Sequence, residues 1–182
     1  QSSISFRIDS KVPYINFTTP TTSSGNKSQN SIDVNVSAND TLTSISGINI
    51  TIFYSNGSIY NSSFSATSSF ILNFTGLTDG TYLFNATAND TLNNKNSTET
   101  RSVTVDSIGP NISFVFPSSS SGNQSYNAIW GNVSANDATT IITGINLTIF
   151  YSNGSIYNST FSATSPLFLN FTSLSDGTYL FN

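Results

Sequence analysis

The chain contains no histidine and no cysteine, and only 8% of its 182 residues are charged. The first two absences remove the commonest general base, the usual thiol nucleophile and the commonest transition-metal ligands. Serine and threonine are plentiful, but none has a plausible activating base. Glycoside hydrolysis by two carboxylates needs a paired acid and base in a cleft, whereas most of the nine acidic residues lie at strand ends. The expectation is a protein that is not an enzyme, with no catalytic residues. Five Lys and Arg, a net charge of −4 and a pI near 4.2 exclude a phosphate-binding patch, so no nucleic-acid partner is expected. No apolar run approaches the roughly 20 residues of a membrane span, and no signal-peptide pattern is present. Without cysteine, stability rests on core burial and not on disulfides.

What is abundant is the acceptor triplet for N-linked glycosylation, Asn-X-Ser/Thr. It occurs at Asn16, Asn26, Asn35, Asn39, Asn49, Asn56, Asn61, Asn73, Asn85, Asn89, Asn96, Asn111, Asn123, Asn132, Asn146, Asn153, Asn158 and Asn170. These are 18 of 24 asparagines. Ser and Thr make up 59 residues, so chance would place roughly a third of the asparagines in triplets. The excess points to a protein built to carry sugar outside the cell. The competing reading is a low-complexity bias that generates triplets by accident. Glycans would also explain how so uncharged a surface, against roughly a quarter charged residues in soluble domains, stays soluble without edge-to-edge pairing.

The triplets fall on strand-like segments in one orientation. In Val34-Asn35-Val36-Ser37-Ala38, Ile48-Asn49-Ile50-Thr51-Ile52, Leu72-Asn73-Phe74-Thr75 and Tyr82 to Ala88, apolar and acceptor residues alternate. A strand repeats its side-chain direction every two residues, and so does the triplet. Asn and Ser/Thr then share the solvent face, and the X residue points inward. On these strands X is Phe17, Val36, Ile50, Phe74, Ala86, Ile112, Val133, Leu147 or Phe171, apolar in every case. A random polar bias would not do this.

Composition allows a packed core, with 36% hydrophobic and 13% aromatic residues. The chain repeats at an offset of 97 residues, with 40 identities in the 52 positions of 34–85 against 131–182. Two copies of one unit of sandwich-domain size are implied. The first unit reads as seven strands near 13–18, 31–38, 46–54, 58–65, 70–75, 81–88 and 100–106. Turns fall at Pro20 to Gly25, Asn56-Gly57, Asp79-Gly80 and Asn89 to Asn96. Asn56-Gly57 between two apolar pairs predicts a hairpin with a type I′ turn, positive φ at both residues. No segment has a 3.6-residue apolar period, so the class is all-β.

Leu77-Thr78-Asp79-Gly80-Thr81-Tyr82-Leu83-Phe84, with its copy Leu174 to Phe181, resembles the approach to strand F of immunoglobulin-like domains, where a tyrosine forms a corner with upstream backbone. Phe84 and Phe181 stand where an antibody domain has its second cysteine, and Ile52 and Ile149 stand in for the strand-C tryptophan. These departures exclude an antibody-type domain. The closer resemblance is to tandem Ig-like modules of archaeal and bacterial surface proteins. It implies two tandem Ig-like β-sandwiches and a surface-layer, fibre or adhesin role.

By the repeat offset Asn182 matches Asn85, in the middle of strand F, so the second unit, 107–182, lacks its last strand. Ile4-Ser5-Phe6-Arg7-Ile8 alternates like a strand and aligns with Arg101 to Val105, the last strand of the first unit, 9–106. Residues 1–8 are therefore expected to complete a preceding or neighbouring domain, with Ile4, Phe6 and Ile8 in its core. Either the chain is a window of a longer tandem array, the favoured reading, or one subunit completes the next. A start at Gln1 rather than Met fits a processed product or part of something longer.

In an Ig-like sandwich the lead-in segment, the B–C loop and the F–G loop share one end. This would gather Asp9, Asp40 and Asp90, and likewise Asp106 and Asp137, where oxygen-only ligands suit Ca²⁺. Turn capping by Asp is the commoner explanation and the favoured one. No other cofactor is implied. Tyr54, Tyr60, Tyr151 and Tyr157 flank the hairpin turns, read as cross-strand pairs that fix the hairpin in preference to a sugar or strand contact surface. Trp130 replaces Asp33 between repeats and packs at the edge of unit two or against unit one. Together these features lead to a non-enzymatic, heavily N-glycosylated extracellular or cell-surface protein, archaeal by resemblance and triplet density, forming a fibre or surface layer from head-to-tail copies or repeats. The alternatives are stalk repeats of an adhesin and a spacer in a secreted enzyme.

Overall fold

The computed structural model describes residues 3–182, in two compact units, Gln1–Ile108 and Gly109–Asn182. Every regular element among the described residues is a β-strand. The first unit contains β1 (Tyr14–Phe17), β2 (Gly25–Lys27), β3 (Ile32–Asn39), β4 (Ile45–Tyr54), β5 (Ile59–Ser65), β6 (Ser69–Phe74), β7 (Gly80–Asp90), β8 (Lys95–Ser97) and β9 (Arg101–Val105). One sheet has the order β1-β3-β6, the other β2-β9-β7-β4-β5, with β8 hairpinned onto β7. All pairings are antiparallel except β2 with β9. Alternation then does its work. Ile32, Val34 and Val36 of β3, Ile48, Ile50 and Ile52 of β4, Phe84 and Ala86 of β7, and Val103 and Val105 of β9 form one buried cluster between the sheets.

The seven expected strands are all present, with two additions. Gly25-Asn26-Lys27 has no apolar alternation, yet it is a strand because Gly25, Asn26 and Lys27 pair in parallel with Val103, Thr104 and Val105. Asn89 to Asn96, expected as a loop, is a tight hairpin: β7 runs on to Asp90 and β8 returns with Lys95 opposite Asn89.

The Asn-Gly hairpins also correct an expectation. Gly57 and Gly154 have φ of 84° and 83°, but Asn56 and Asn153 are not among the positive-φ residues, so the turn is not type I′. Gly57 N–H donates to the Tyr54 carbonyl and Tyr54 N–H to the Ser58 carbonyl. The pairing register shifts between Ile52 and Phe53. This is a type I turn followed by a left-handed glycine and a bulge. Asn56 serves through its side chain, whose Oδ1 accepts from Ser58 N–H and Oγ.

The second unit contains β10 (Asn111–Phe114), β11 (Ile129–Asn136), β12 (Ile145–Tyr151), β13 (Ile156–Ser162), β14 (Leu167–Phe171) and β15 (Tyr179–Phe181). Its sheets have the orders β10-β11-β14 and β13-β12-β15. No strand equivalent to β9 lies beyond β15 among the described residues. Gly122-Asn123-Gln124, the match of β2, is correspondingly not a strand. Its core is the smaller cluster of Val133, Ala135, Ile145, Leu147, Ile149, Leu167, Phe171 and Leu174.

Candidate functional site

Three features stand out: a sheet edge, an asparagine-studded surface and a trio of carboxylates. In unit one β9 covers the outer edge of β7, with Val103 opposite Tyr82 and Arg101 opposite Phe84. Arg101 also lies over the Phe17 ring at 4.5 Å and donates to the Thr22 carbonyl, so β9 closes one side of the sandwich. In unit two the same edge, β15, pairs only with β12 among the described residues. Tyr179 and Phe181 are half-buried where Tyr82 and Phe84 are buried. The loss spreads to β10: Ile112 is 57% exposed, against 7% for its counterpart Ile15. Ile112 is thus the one X residue of the nine that is exposed, and Phe17 is half-buried, while the other seven are buried.

The segment aligned with β9 takes no part in the core of its own unit. Ile4, Phe6 and Ile8 are 79%, 84% and 85% exposed and belong to no strand of their own unit. Residues 1 and 2 of the expected 1–8 segment lie outside the described residues. Further along, Asn94 Nδ2 donates to the Asp9 carbonyl and Asn96 Nδ2 to the Pro13 carbonyl, pinning the lead-in to the β7–β8 hairpin.

None of the 18 triplet asparagines is buried. Asn16, Asn35, Asn49, Asn85, Asn89, Asn96 and Asn132 are half-buried, and the other eleven are exposed. On the strands the polar face is knitted laterally. Asn49 Oδ1 accepts from Ser62 Oγ at 3.1 Å, and Asn146 Oδ1 from Ser159 Oγ at 2.9 Å.

Asp9, Asp40 and Asp90 converge as the shared-end argument requires, each placing a carboxylate oxygen within 4.8 Å of the others. Asp90 is 2% exposed. Burial alone would raise its pKa, but bonds from the Asn94 side chain and N–H, Thr43 Oγ1 and Leu92 N–H outweigh it and hold the carboxyl below its ordinary value. Asp40 is lowered by Thr43 and Leu42 N–H, and Asp137, its counterpart, by Thr140 and Thr139 N–H. Asp106 belongs to the first unit and Asp137 to the second. Asp106 N–H donates to the Lys27 carbonyl, part of the β2–β9 pairing.

The aromatic positions pack against one another. Tyr82 and Tyr179 form the expected corners, donating to the Thr78 and Ser175 carbonyls at 3.1 and 3.2 Å. Tyr54, Tyr60 and Tyr82 pack edge-on or tilted within about 6 Å, as do Tyr151, Tyr157 and Tyr179. Phe84 and Ile52 are fully buried, as is Ile149. Trp130 stacks on Tyr126 at 5.3 Å within unit two, a partner that no spacing rule would have found. Exposed Phe64 and Phe161 lie across Gly47 of β4 and Gly144, just before β12, where a Cβ at the glycine would collide with the ring as placed.

No family model matches the chain, and no curated protein matches it. Among solved structures it is similar to the fibronectin(III)-like modules of CbhA from Clostridium thermocellum, at 17% identity over 88% of this chain and 80% of that one, with a TM-score of 0.38. It is also similar to dimeric latent PorU from Porphyromonas gingivalis, at 16% identity over 95% of this chain, with a TM-score of 0.42. The chain spans only 18% of the PorU chain. The fold class rests on the strand pairing itself: the protein is all-β, with tandem Ig-like sandwiches.

Proposed function

We propose that this chain is a non-catalytic, N-glycosylated extracellular building block whose Ig-like units join head to tail. A strand of the Ile4–Ile8 type closes each sandwich that resembles unit two. One observation carries the reading: among the described residues the edge that β9 covers in unit one is unpaired in unit two, while Ile4, Phe6 and Ile8, which align with β9 in sequence, are exposed. Transferring the β7–β9 register by the repeat offset places Ile8 opposite Gly177, Phe6 opposite Tyr179, Ser5 opposite Leu180 and Ile4 opposite Phe181. Burial of three large apolar side chains would contribute roughly 1.5–3 kcal/mol each, with ladder hydrogen bonds adding to that. Sugars on the outward asparagines would keep such a polymer from associating sideways through its uncharged faces.

The register supplies the test. A chain carrying Ser5→Cys and Leu180→Cys, oxidised after assembly, should give a ladder of linked copies on a non-reducing gel. Each single variant should yield dimers at most. Absence of the ladder from assembled material would remove strand exchange. Electron microscopy of native material then separates regular filaments or lattices from isolated stalks with a head, the adhesin arrangement. Glycopeptide mass spectrometry tests the sugar sites, and bare asparagines on the strands would return the triplets to compositional bias.

A further inference from the structure

Asp9, Asp40 and Asp90 come from three separate stretches, namely the lead-in before β1, the β3–β4 loop and the end of β7. Their carboxylate oxygens nevertheless meet within 4.8 Å. Two of the three have local work that needs no ion. Asp90 accepts from Leu92 N–H, Asn94 N–H, Asn94 Nδ2 and Thr43 Oγ1, and Asp40 Oδ1 from Leu42 and Thr43 N–H.

Asp9 is different. Its Oδ1 accepts from Lys11 N–H, but its Oδ2 is sealed from solvent and has no hydrogen-bond partner. An ionised carboxylate can only accept, and a buried oxygen without a donor is costly. Two further carboxylates close to that of Asp9 make it more so. Arg101 pairs with Glu99, and none of the three aspartates is in an ion pair with a lysine or arginine among the described residues.

We infer that Asp9, Asp40 and Asp90 form a Ca²⁺ site. The donors are all oxygen, which excludes metals that prefer nitrogen or sulfur. Ca²⁺ accepts the irregular carboxylate sets of converging loops, whereas Mg²⁺ demands near-octahedral geometry and keeps most of its water. Asp9 immediately follows Ile8, so the ion would fasten the root of the exposed Ile4–Ile8 segment to the β3–β4 and β7–β8 loops. The site stands independently of the assembly reading.

The test uses the whole chain, freed of metal with EDTA and titrated with CaCl₂ by calorimetry and thermal melting. Wild type should show a single saturable event and, at a hundredfold excess over Kd, a rise in melting temperature on the order of 10 °C. Asp9→Asn is the decisive variant, because Oδ2 makes no bond in the protein that its loss would break. It should weaken binding about tenfold or more and abolish the rise, while melting in EDTA no lower than wild type, since a like charge is gone. Asp137→Asn should leave the titration unchanged. The inference is overturned if CaCl₂ gives neither heat nor shift, if MgCl₂ at equal concentration matches it, or if Asp9→Asn binds as wild type does.

Discussion

The two units carry nearly the same side chains in two different states of closure. Tyr82 and Phe84 are buried in the first, and Tyr179 and Phe181, in the same run Asp-Gly-Thr-Tyr-Leu-Phe-Asn, are half-exposed in the second. The same holds for Ile15 against Ile112. Positions away from this side do not differ: Ile52 and Ile149 are fully buried, and so are Ile50 and Leu147. The contrast follows a boundary drawn by one strand. Even Gly25–Lys27 is a strand only because β9 is there to pair with it. In a sandwich of this kind, burial is a property of neighbours distant in sequence more than of the residue itself.

The most forceful way to break this comparison is to supply the strand. Appending a copy of residues 86–106 after Asn182 should give unit two its own counterpart of β9. Val103 and Val105 are both fully buried in unit one, so their copies should raise the stability of unit two by about 3–6 kcal/mol. Trp130 is the sole tryptophan and lies in β11, so its fluorescence during urea unfolding reports on unit two alone. An unmoved tryptophan transition would mean that the exposure of Tyr179 and Phe181 has another cause.

A pair of truncations sharpens the same contrast. Phe84→Ala empties a fully buried site and should cost about 3–5 kcal/mol. Phe181→Ala removes the same ring from a half-buried site where solvent can fill the space, and should cost roughly 1–2 kcal/mol. Both rings meet an aromatic edge-on, Phe17 at 5.5 Å and Phe114 at 4.8 Å. The local contact is therefore shared, while the second half of β7, β8 and the covering β9 have no counterpart in unit two among the described residues. Equal losses, measured by denaturant unfolding of each variant, would show that β9 contributes little to the value of the ring.

Much of this was readable in the chain because the informative signals are local. Period-two alternation located β3, β4 and β7, and the aspartates could be brought together once the loops at one end of an Ig-like sandwich were identified. What escaped has a non-local cause. Gly25-Asn26-Lys27 offers no pattern, and its strand exists through β9. The Asn-Gly dipeptide fits more than one hairpin turn, and the choice is made by the bulge between Ile52 and Phe53. That Asp9 Oδ2 would be sealed without a donor depends on how three loops pack, which no spacing encodes.

The smallest effect is one in which the units should behave alike. Asp40 and Asp137 each accept two backbone N–H groups at the start of the loop after β3 and β11, and each carboxyl is held below its ordinary pKa. A depressed folded pKa means that the unfolded chain takes up protons first as pH falls. The contribution is complete above the unfolded value of about 4 and is lost as pH drops through the folded value. Asp137 makes the cleaner test, since it is no part of the carboxylate trio. Asp137→Asn keeps a carbonyl for the two N–H groups but cannot ionise. It should be slightly less stable than wild type at pH 7, and the gap should close by about pH 2, with unfolding midpoints read from Trp130 fluorescence. A gap that persists unchanged in acid would assign the loop's stability to the shape of the aspartate side chain and not to its charge. The covering strand would have no part in either outcome, because the same two donors serve Asp40 beneath a complete sandwich and Asp137 in an open one.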